Sequence, residues 1–252
     1  MKYGLALGGG GMKGIAHLGV IKVLEEAGFK PDIIAGTSAG ALVGALYAKG
    51  FSVDEIFNFK DRFSLIKLLR LDIPFDGFSS LDGLRHALKP LIGGIEFKDL
   101  DTKLLTIATN LGTGREEVFD KGDLVEAVVT SLCVPGVFNP VKKGDEYYVD
   151  GAVVSPVPVN ILKERGVKKV VSVSLRSMNP EIGKLTLTNI IRRVMSISAE
   201  ELMDLHEKNA DLPIRVPTHE FSTVTARRAR KLFDLGVKTA KKQLPEIKKL
   251  LK

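Results

Sequence analysis

The fold is decided by residues 3–28, which have the sequence YGLALGGGGMKGIAHLGVIKVLEEAG. Tyr3 to Leu7 is a short apolar run typical of a buried strand, and Gly8 to Gly11 form a glycine turn. From Ile15 to Leu24 apolar residues recur at helical spacing, until Gly28 ends the pattern. This stretch therefore predicts a strand, a glycine turn and a helix in succession.

The same strand-turn-helix unit repeats immediately. Asp32 to Ala35 is a second apolar run, and Ala39 to Lys49, rich in alanine and leucine and closed by Gly50, has the composition of a second helix. Later apolar or β-branched runs alternate with helical stretches in the same way. The predicted later strands lie at Leu104–Ala108, Tyr147–Val149, Lys169–Val173 and Ile214–Val216, and the predicted helices at Leu124–Leu132 and Val159–Arg165. The alternation predicts an α/β fold with a mainly parallel central sheet flanked by helices.

Size and composition favour a single domain over residues 1–252. The chain is 44% hydrophobic, long enough for one large core, and no linker rich in Pro, Gly or Ser divides it. Residues 51–94 are dense in Phe and Leu without a strand pattern, which predicts a helical insertion beside the sheet. From residue 225 to residue 252 apolar side chains lie among lysines, which predicts two short amphipathic helices interrupted at Gly236 and Pro245.

Other features of the sequence bear on where the protein works. No apolar run approaches the roughly 20 residues that a membrane-spanning helix needs, and the first residues lack the small-residue cleavage site of a signal peptide. Cys133 is the only cysteine, which excludes an internal disulfide and a zinc site built on paired cysteines. We therefore expect a cytoplasmic protein, soluble or peripheral at a membrane.

The charge of the chain favours an anionic partner. The formal net charge is +7, and the excess is concentrated in residues 227–252. Charge alone would suit either membrane phosphate or nucleic acid. Because aromatic residues make up only 6% of the chain, tryptophan is absent and no base-reading module is recognisable, we expect no nucleic-acid partner. Peripheral contact with an anionic membrane surface remains the open possibility.

Residues 35–41, Ala-Gly-Thr-Ser-Ala-Gly-Ala, contain G-x-S-x-G between a predicted strand and a predicted helix. In that context the motif forms a nucleophile elbow, a strained turn that presents the serine at a helix amino terminus. Gly36 and Gly40 leave room for the strand and the helix to approach each other. Ser38 is therefore the candidate nucleophile, and the alternative is a small-residue turn that happens to contain a serine.

The glycine cluster at Gly8–Gly14 has two functional interpretations. Gly9, Gly11 and Gly14 match G-x-G-x-x-G, the dinucleotide fingerprint, which also needs an acidic residue at the end of the second strand. Asp32 has the right distance from the glycines but precedes its strand. Alternatively, the exposed amides of the turn form an oxyanion hole beside the serine. A glycine turn without any ligand is the third possibility.

A nucleophilic serine needs a base, and the four histidines, His17, His86, His206 and His219, lie in no recognisable catalytic setting. In the order serine, acid, histidine only the last two could complete a triad. Asp150 is the stronger candidate, because it ends an apolar strand and precedes a glycine, and open α/β sheets carry their functional groups at strand ends. A solvated Asp-Gly turn is the alternative.

Taken together, these motifs resemble those of the patatin-like phospholipases. They are G-x-G-x-x-G at Gly9–Gly14, G-x-S-x-G at Gly36–Gly40 and D-G-A at Asp150–Ala152, in the order and approximate separation of that family. Residues 131–138, Ser-Leu-Cys-Val-Pro-Gly-Val-Phe, are also similar to the family. The resemblance covers most of residues 3–173 and is specific, because several independent motifs coincide.

The resemblance implies a modified α/β-hydrolase fold and a lipid acyl hydrolase, either a phospholipase or an esterase, acting on a lipid ester. Ser38 would form an acyl-enzyme, and Asp150 would act directly as its general base with no histidine between them. The amides of Gly9, Gly10 and Gly11 would bind the oxyanion. The resemblance and the absence of a metal-ligand cluster in the sequence imply no cofactor and no metal ion.

Further expectations follow for the rest of the chain. Gly14, Gly36, Gly40 and Gly151 are the motif glycines, while Lys13 stands where many members of the family carry arginine. We expect the insertion at residues 51–94 to cover the site and contribute acyl-chain contacts, with ordinary core packing as the alternative. The basic residues 227–252 would hold the protein on anionic lipid. A nucleotide-binding protein and a non-catalytic lipid-binding or partner-binding protein remain the alternatives to a hydrolase.

Overall fold

In the computed structural model, residues 2–61, 80–177, 185–223 and 227–252 are described. The strands are β1 Tyr3–Leu7, β2 Ile33–Thr37, β3 Lys103–Asn110, β4 Glu116–Phe119, β5 Val141–Lys143, β6 Glu146–Asp150, β7 Lys169–Arg176 and β8 Leu212–Pro217. The described α-helices are α1 Ile15–Glu26, α2 Ala39–Ala48, α3 Val53–Asn58, α4 Asp82–Ile92, α5 Leu124–Ser131, α6 Val159–Glu164, α7 Leu187–Glu207, α8 Ala229–Lys242 and α9 Leu244–Leu251.

The strands form one eight-stranded sheet with the order β5-β6-β3-β2-β1-β7-β8, and β4 also pairs with β3. Five neighbouring strands, β3, β2, β1, β7 and β8, run parallel to one another. The pairs of β3 with β4, β3 with β6 and β5 with β6 are antiparallel. The prediction of an α/β fold with a mainly parallel sheet is confirmed, with an antiparallel addition at one side.

Strand β3 brings two other strands end to end. Residues 103–107 of β3 pair with β2, and the last pair is Ile107 with Thr37. The final three residues of β3 pair with β6 instead, and the first pair is Ala108 with Asp150. Strand β4 pairs with β3 across both of these stretches, so β2 and β6 share the opposite edge of β3. The carboxyl ends of β2 and β6 therefore meet.

Helices cover both faces of the sheet, and side chains alternate between them as the pleat requires. On one face Leu5, Ile34 and Val171 belong to a large core shared with α1, α2, α5 and α8. On the other face smaller and β-branched residues such as Ala6 and Ile33 pack with α6 and with Met203 of α7. Among the described helices, none is long and apolar enough to cross a membrane.

The insertion and the carboxyl-terminal segment are helical where they are described. Helices α3 and α4 lie within residues 51–94, whereas residues 62–79, with Phe63 and Phe75, are outside the described part. The basic segment forms two helices, as predicted, but Gly236 lies inside α8 and does not interrupt it. A Cβ on Gly236 would lie 2.1 Å from the Ala16 carbonyl oxygen, so this glycine permits close packing of α8 on α1.

Candidate active site

Ser38 occupies the sharp turn between β2 and α2. Its backbone has φ 54° and ψ −120°, and it is the one non-glycine residue with positive φ in the described part of the chain. Such a conformation costs about 1–3 kcal/mol and persists only where surrounding contacts impose it. One such contact is close: a Cβ on Gly40 would lie 2.0 Å from the Leu7 carbonyl oxygen. The turn thus has the geometry expected of a nucleophile elbow.

Ser131, at the end of α5, fixes the elbow from the other side. Its hydroxyl oxygen accepts a hydrogen bond of 2.8 Å from the Ser38 backbone N–H, and its own proton is donated to the Ile107 carbonyl at 2.6 Å. The residue is fully buried. No motif in the sequence predicts a role for Ser131, although it begins residues 131–138, which are similar to the family. It links the turn at Ser38 to the sheet.

The side chains of Ser38 and Asp150 are in direct contact. The Ser38 hydroxyl donates a hydrogen bond of 2.6 Å to Oδ2 of Asp150, while Oδ1 accepts the backbone N–H of Ala152 at 2.8 Å. The backbone of Asp150 is held as well, because its N–H donates to the Cys133 carbonyl and its carbonyl accepts the Thr109 hydroxyl. Both carboxylate oxygens are therefore oriented, one of them toward the serine.

Burial makes Asp150 a stronger base than an ordinary carboxylate. Its side chain is 2% exposed, and loss of hydration raises its pKa from 3.8 to about 6, against the lowering effect of the hydrogen bonds from Ser38 and Ala152. At neutral pH the group is still ionised. It combines a negative charge with a proton affinity close to that of histidine.

The glycine turn lies beside the serine, but its three amides are not equivalent. A Cβ on Gly9 would lie 3.3 Å from Ser38 Cβ. The Gly9 N–H already donates to the Pro156 carbonyl at 3.0 Å, whereas within the described residues no carbonyl accepts the amides of Gly10 and Gly11. This engagement of the Gly9 amide counts against its expected role as an oxyanion donor and leaves Gly10 and Gly11.

No histidine among the described residues hydrogen-bonds to the side chain of Ser38 or Asp150. His17 is fully buried, burial lowers its pKa to about 4, and its Nε2–H donates to the Gly8 carbonyl at 2.8 Å. His206 has Nδ1 3.1 Å from the Val157 carbonyl oxygen, and His86 and His219 are exposed. Neutral His17 thus supports the glycine turn through its hydrogen bond to Gly8. The Ser38 hydroxyl donates its hydrogen bond to a carboxylate and not to an imidazole.

The nucleotide-binding alternative loses its ribose anchor in the structure. The Asp32 carboxylate accepts the backbone N–H groups of Lys2 and Tyr3 at 2.6 and 2.9 Å. These contacts are at the amino end of β1, whereas the glycine turn follows its carboxyl end. In the part of the chain that is described, no three His, Cys, Asp or Glu side chains are grouped so that they could hold a metal ion.

The family model for patatin-like phospholipases matches residues 5–163. Lysophospholipase NTE1 of Candida albicans is 31% identical over 182 residues, which are 70% of this chain and 13% of that protein. An NTE family protein of Mycobacterium tuberculosis is 28% identical over 218 residues, 81% of this chain and 60% of that one. The chain thus spans only about an eighth of the length of the fungal relative.

Two solved structures share the fold. VipD from Legionella pneumophila has a TM-score of 0.54 at 17% identity, with 97% of this chain and 67% of that chain covered. ExoU, in its complex with SpcU from Pseudomonas aeruginosa, has a TM-score of 0.54 at 18% identity, with 99% of this chain and 52% of that chain covered. The match of the family model over residues 5–163 includes both Ser38 and Asp150, and the chain belongs to the patatin-like phospholipase family.

Proposed function

We propose that this chain is a lipid acyl hydrolase that cleaves carboxylic esters through a Ser38 acyl-enzyme, with Asp150 as the general base. The observation that carries the proposal is the 2.6 Å hydrogen bond from the Ser38 hydroxyl to a carboxylate that is almost fully buried. Membership of the patatin-like phospholipase family and similarity to a lysophospholipase support a lipid ester as the substrate.

In acylation, and again in deacylation, Asp150 takes up one proton and then gives it back. The Ser38 oxygen attacks the ester carbonyl carbon as its proton passes to Asp150, and the alcohol oxygen then leaves with that proton. In the second half, Asp150 takes a proton from water as the water oxygen attacks the acyl carbon. The Ser38 oxygen leaves, regaining that proton from Asp150, and the carboxylic acid is released.

The negative charge that develops on the carbonyl oxygen needs hydrogen-bond donors that are already in place. The amides of Gly10 and Gly11 are the proposed donors, and the amino end of α2 adds a favourable dipole. The Ser38 amide is committed to Ser131. Ser131 is therefore proposed to position the elbow, with no contact to the reacting atoms.

Paired substitutions test the two catalytic roles. Ser38→Ala and Asp150→Asn should each remove most turnover of a soluble ester. The double variant should be scarcely worse than either single variant, because residues that act as one unit give non-additive losses. Full activity in a folded Asp150→Asn protein would remove Asp150 from the mechanism.

Histidine variants provide the matched control for a triad. His86→Ala, His206→Ala and His219→Ala should keep turnover close to that of the wild type once the fraction of folded protein is measured by circular dichroism. A folded histidine variant as inactive as Ser38→Ala would show that a histidine is the base and would refute the direct role of Asp150.

Contact with a lipid surface is the second part of the proposal. In the basic carboxyl-terminal segment the apolar side chains of Leu232 and Phe233 are buried in the core, so this segment presents mainly lysines to solvent. Four of the exposed aliphatic residues lie instead on the first half of α7, three or four positions apart: Leu187 (74%), Ile190 (44%), Val194 (57%) and Ile197 (45%). That spacing places them along one side of the helix.

The first half of α7 also lies close to the site and has a suitable charge. Residues 185–199 contain two arginines and no acidic residue, the composition of a helix that lies on a phosphate-bearing surface. Ile191 of α7 is 3.7 Å from the position of a Cβ on Gly136, in the loop that follows Cys133. The Cys133 carbonyl in turn binds the Asp150 amide. A lipid surface in contact with this part of α7 would therefore lie beside the loop that binds the Asp150 backbone.

Vesicle binding distinguishes the contribution of the first half of α7 from that of the basic carboxyl-terminal segment. Val194→Asp should weaken binding to anionic phospholipid vesicles at all salt concentrations, because it removes apolar contact and adds repulsion. Replacing Lys241 and Lys242 by glutamine should weaken binding only at low salt. Binding that is unchanged by either substitution would remove the proposed lipid contact.

A further inference from the structure

The glycine turn is held at the peptide group that joins Gly8 to Gly9. The N–H of this group, which belongs to Gly9, donates to the Pro156 carbonyl at 3.0 Å, and its carbonyl oxygen, which belongs to Gly8, lies 2.8 Å from Nε2 of His17. Because a peptide group is planar, contacts on its N–H and on its carbonyl together restrict its rotation. The next two amides along the chain are the proposed oxyanion donors.

His17 is the donor in its contact with Gly8. A carbonyl oxygen can only accept a hydrogen bond, so Nε2 carries a proton. The ring is fully buried at the third position of α1, and loss of hydration lowers its pKa to about 4, so at neutral pH the imidazole is uncharged and Nδ1 carries no proton. Among the described residues Nδ1 has no hydrogen-bond partner. The polar contact that the buried ring makes there is therefore the one to Gly8.

Backbone groups hold the turn on either side of the proposed oxyanion donors. The Gly8 N–H donates to the Val173 carbonyl of β7 at 3.0 Å, and the Met12 N–H donates to the Thr223 carbonyl at 2.9 Å. The two proposed donors thus lie between amides that are already engaged. The acceptors of these amides are backbone carbonyls, whereas His17 contributes a side chain, so its hydrogen bond is the one that a substitution can remove.

We propose that His17 is a positioning residue, which keeps the oxyanion donors in place by holding the peptide group between Gly8 and Gly9. This role rests on the proposed function, because it requires that Ser38 attacks an ester and that charge develops beside the glycine turn. Without the Nε2–H donor the peptide group is free to rotate, and the amides that follow it shift. A displacement of about 1 Å in such a site lowers the rate by about 100-fold.

Substitutions at His17 test whether the Nε2–H group is what matters. His17→Leu removes the donor with a side chain of similar size, and kcat for a soluble ester should fall by about 100-fold with little change in KM, because the lost interaction acts in the transition state. His17→Gln places an amide N–H close to the position of Nε2 and should restore most of kcat. Val23→Ala removes buried side-chain atoms from the same helix and should leave kcat unchanged, which separates positioning from loss of stability.

Two results would overturn the positioning role: wild-type kcat in folded His17→Leu, or His17→Gln as impaired as His17→Leu. If His17→Leu does not fold, His17→Asn, whose shorter amide does not reach Gly8, takes its place. Labelling of the wild type with a fluorophosphonate probe separates the two levels of the account. If Ser38 is labelled and His17→Gln does not restore kcat, the role of His17 alone is wrong. If Ser38 is not labelled, the proposed function fails and the role of His17 fails with it.

Discussion

Replacing Asp150 by asparagine should stabilise the protein while removing its activity. Burial raises the pKa of Asp150 from 3.8 to about 6, so the folded protein binds this proton more tightly than the unfolded chain does. The protonated carboxyl thus contributes stability that is fully present below pH 3.8 and is lost as the pH rises through about 6. A difference of roughly 2 in pKa corresponds to about 3 kcal/mol.

Urea denaturation of both proteins at pH 4 and pH 7.5 measures this effect. The free energy of unfolding of Asp150→Asn minus that of the wild type should increase by about 2.5 kcal/mol between the two pH values, because the amide has no charge to bury. Other titrating groups are shared and cancel in the difference. Asp145→Asn is the matched control, since Asp145 is exposed and the difference there should change little. Equal differences for Asp150→Asn at both pH values would refute the buried, ionised carboxylate.

Three other outcomes are expected. With Asp150 as base, kcat/KM should fall tenfold per pH unit below about pH 6 and level off above it, which a pH–rate profile measures. Ester hydrolysis should survive EDTA, because among the described residues no three metal-ligating side chains lie close together. Loss of hydrolysis in EDTA, with recovery on adding a divalent ion, would contradict this. Gly236→Ala should lower the free energy of unfolding by about 2 kcal/mol or more in urea, since the added Cβ would meet the Ala16 carbonyl at 2.1 Å, whereas exposed Lys238→Ala should have little effect.

The sequence predicts the parallel half of the sheet because local signals there agree with tertiary structure. The strands that include Tyr3–Leu7 and Lys169–Val173 are buried on both faces, so each appears in the sequence as a continuous apolar run. Strands β4 and β5 were not predicted. They are short, carry charged residues and lie only partly buried at the side of the sheet, where no apolar alternation is required.

Helix α7 was also absent from the sequence prediction, for a related reason. Its first half carries apolar residues at helical spacing, but they are exposed, mixed with Ser, Thr and Asn, and belong to none of the strand-helix repeats on which the prediction depended. Exposed apolar side chains pack against no other element of the chain, so they do not help to place the helix in the fold.

The contact between Ser38 and Asp150 follows from a register that the sequence does not display. The motif pointed to Asp150 as the end of a strand, but β6 runs antiparallel to β3 and would not by itself deliver a side chain to the carboxyl ends of the parallel strands. Strand β6 nevertheless brings Asp150 to Ser38, because β3 extends three residues beyond its pairing with β2 and β6 pairs with those three residues. The hydrogen bonds that engage the Gly9 amide and the Ser38 amide are equally non-local.

Covalent labelling tests most directly whether Ser38 is a nucleophile that is activated without a histidine. The protein is treated with a fluorophosphonate probe, digested and analysed by peptide mapping, with Ser38→Ala as the matched control. We expect a single modified peptide that contains Ser38, no label in Ser38→Ala, and slower labelling in Asp150→Asn at pH 7.5. Modification at another residue, or a folded and active wild type without label at Ser38, would contradict the account.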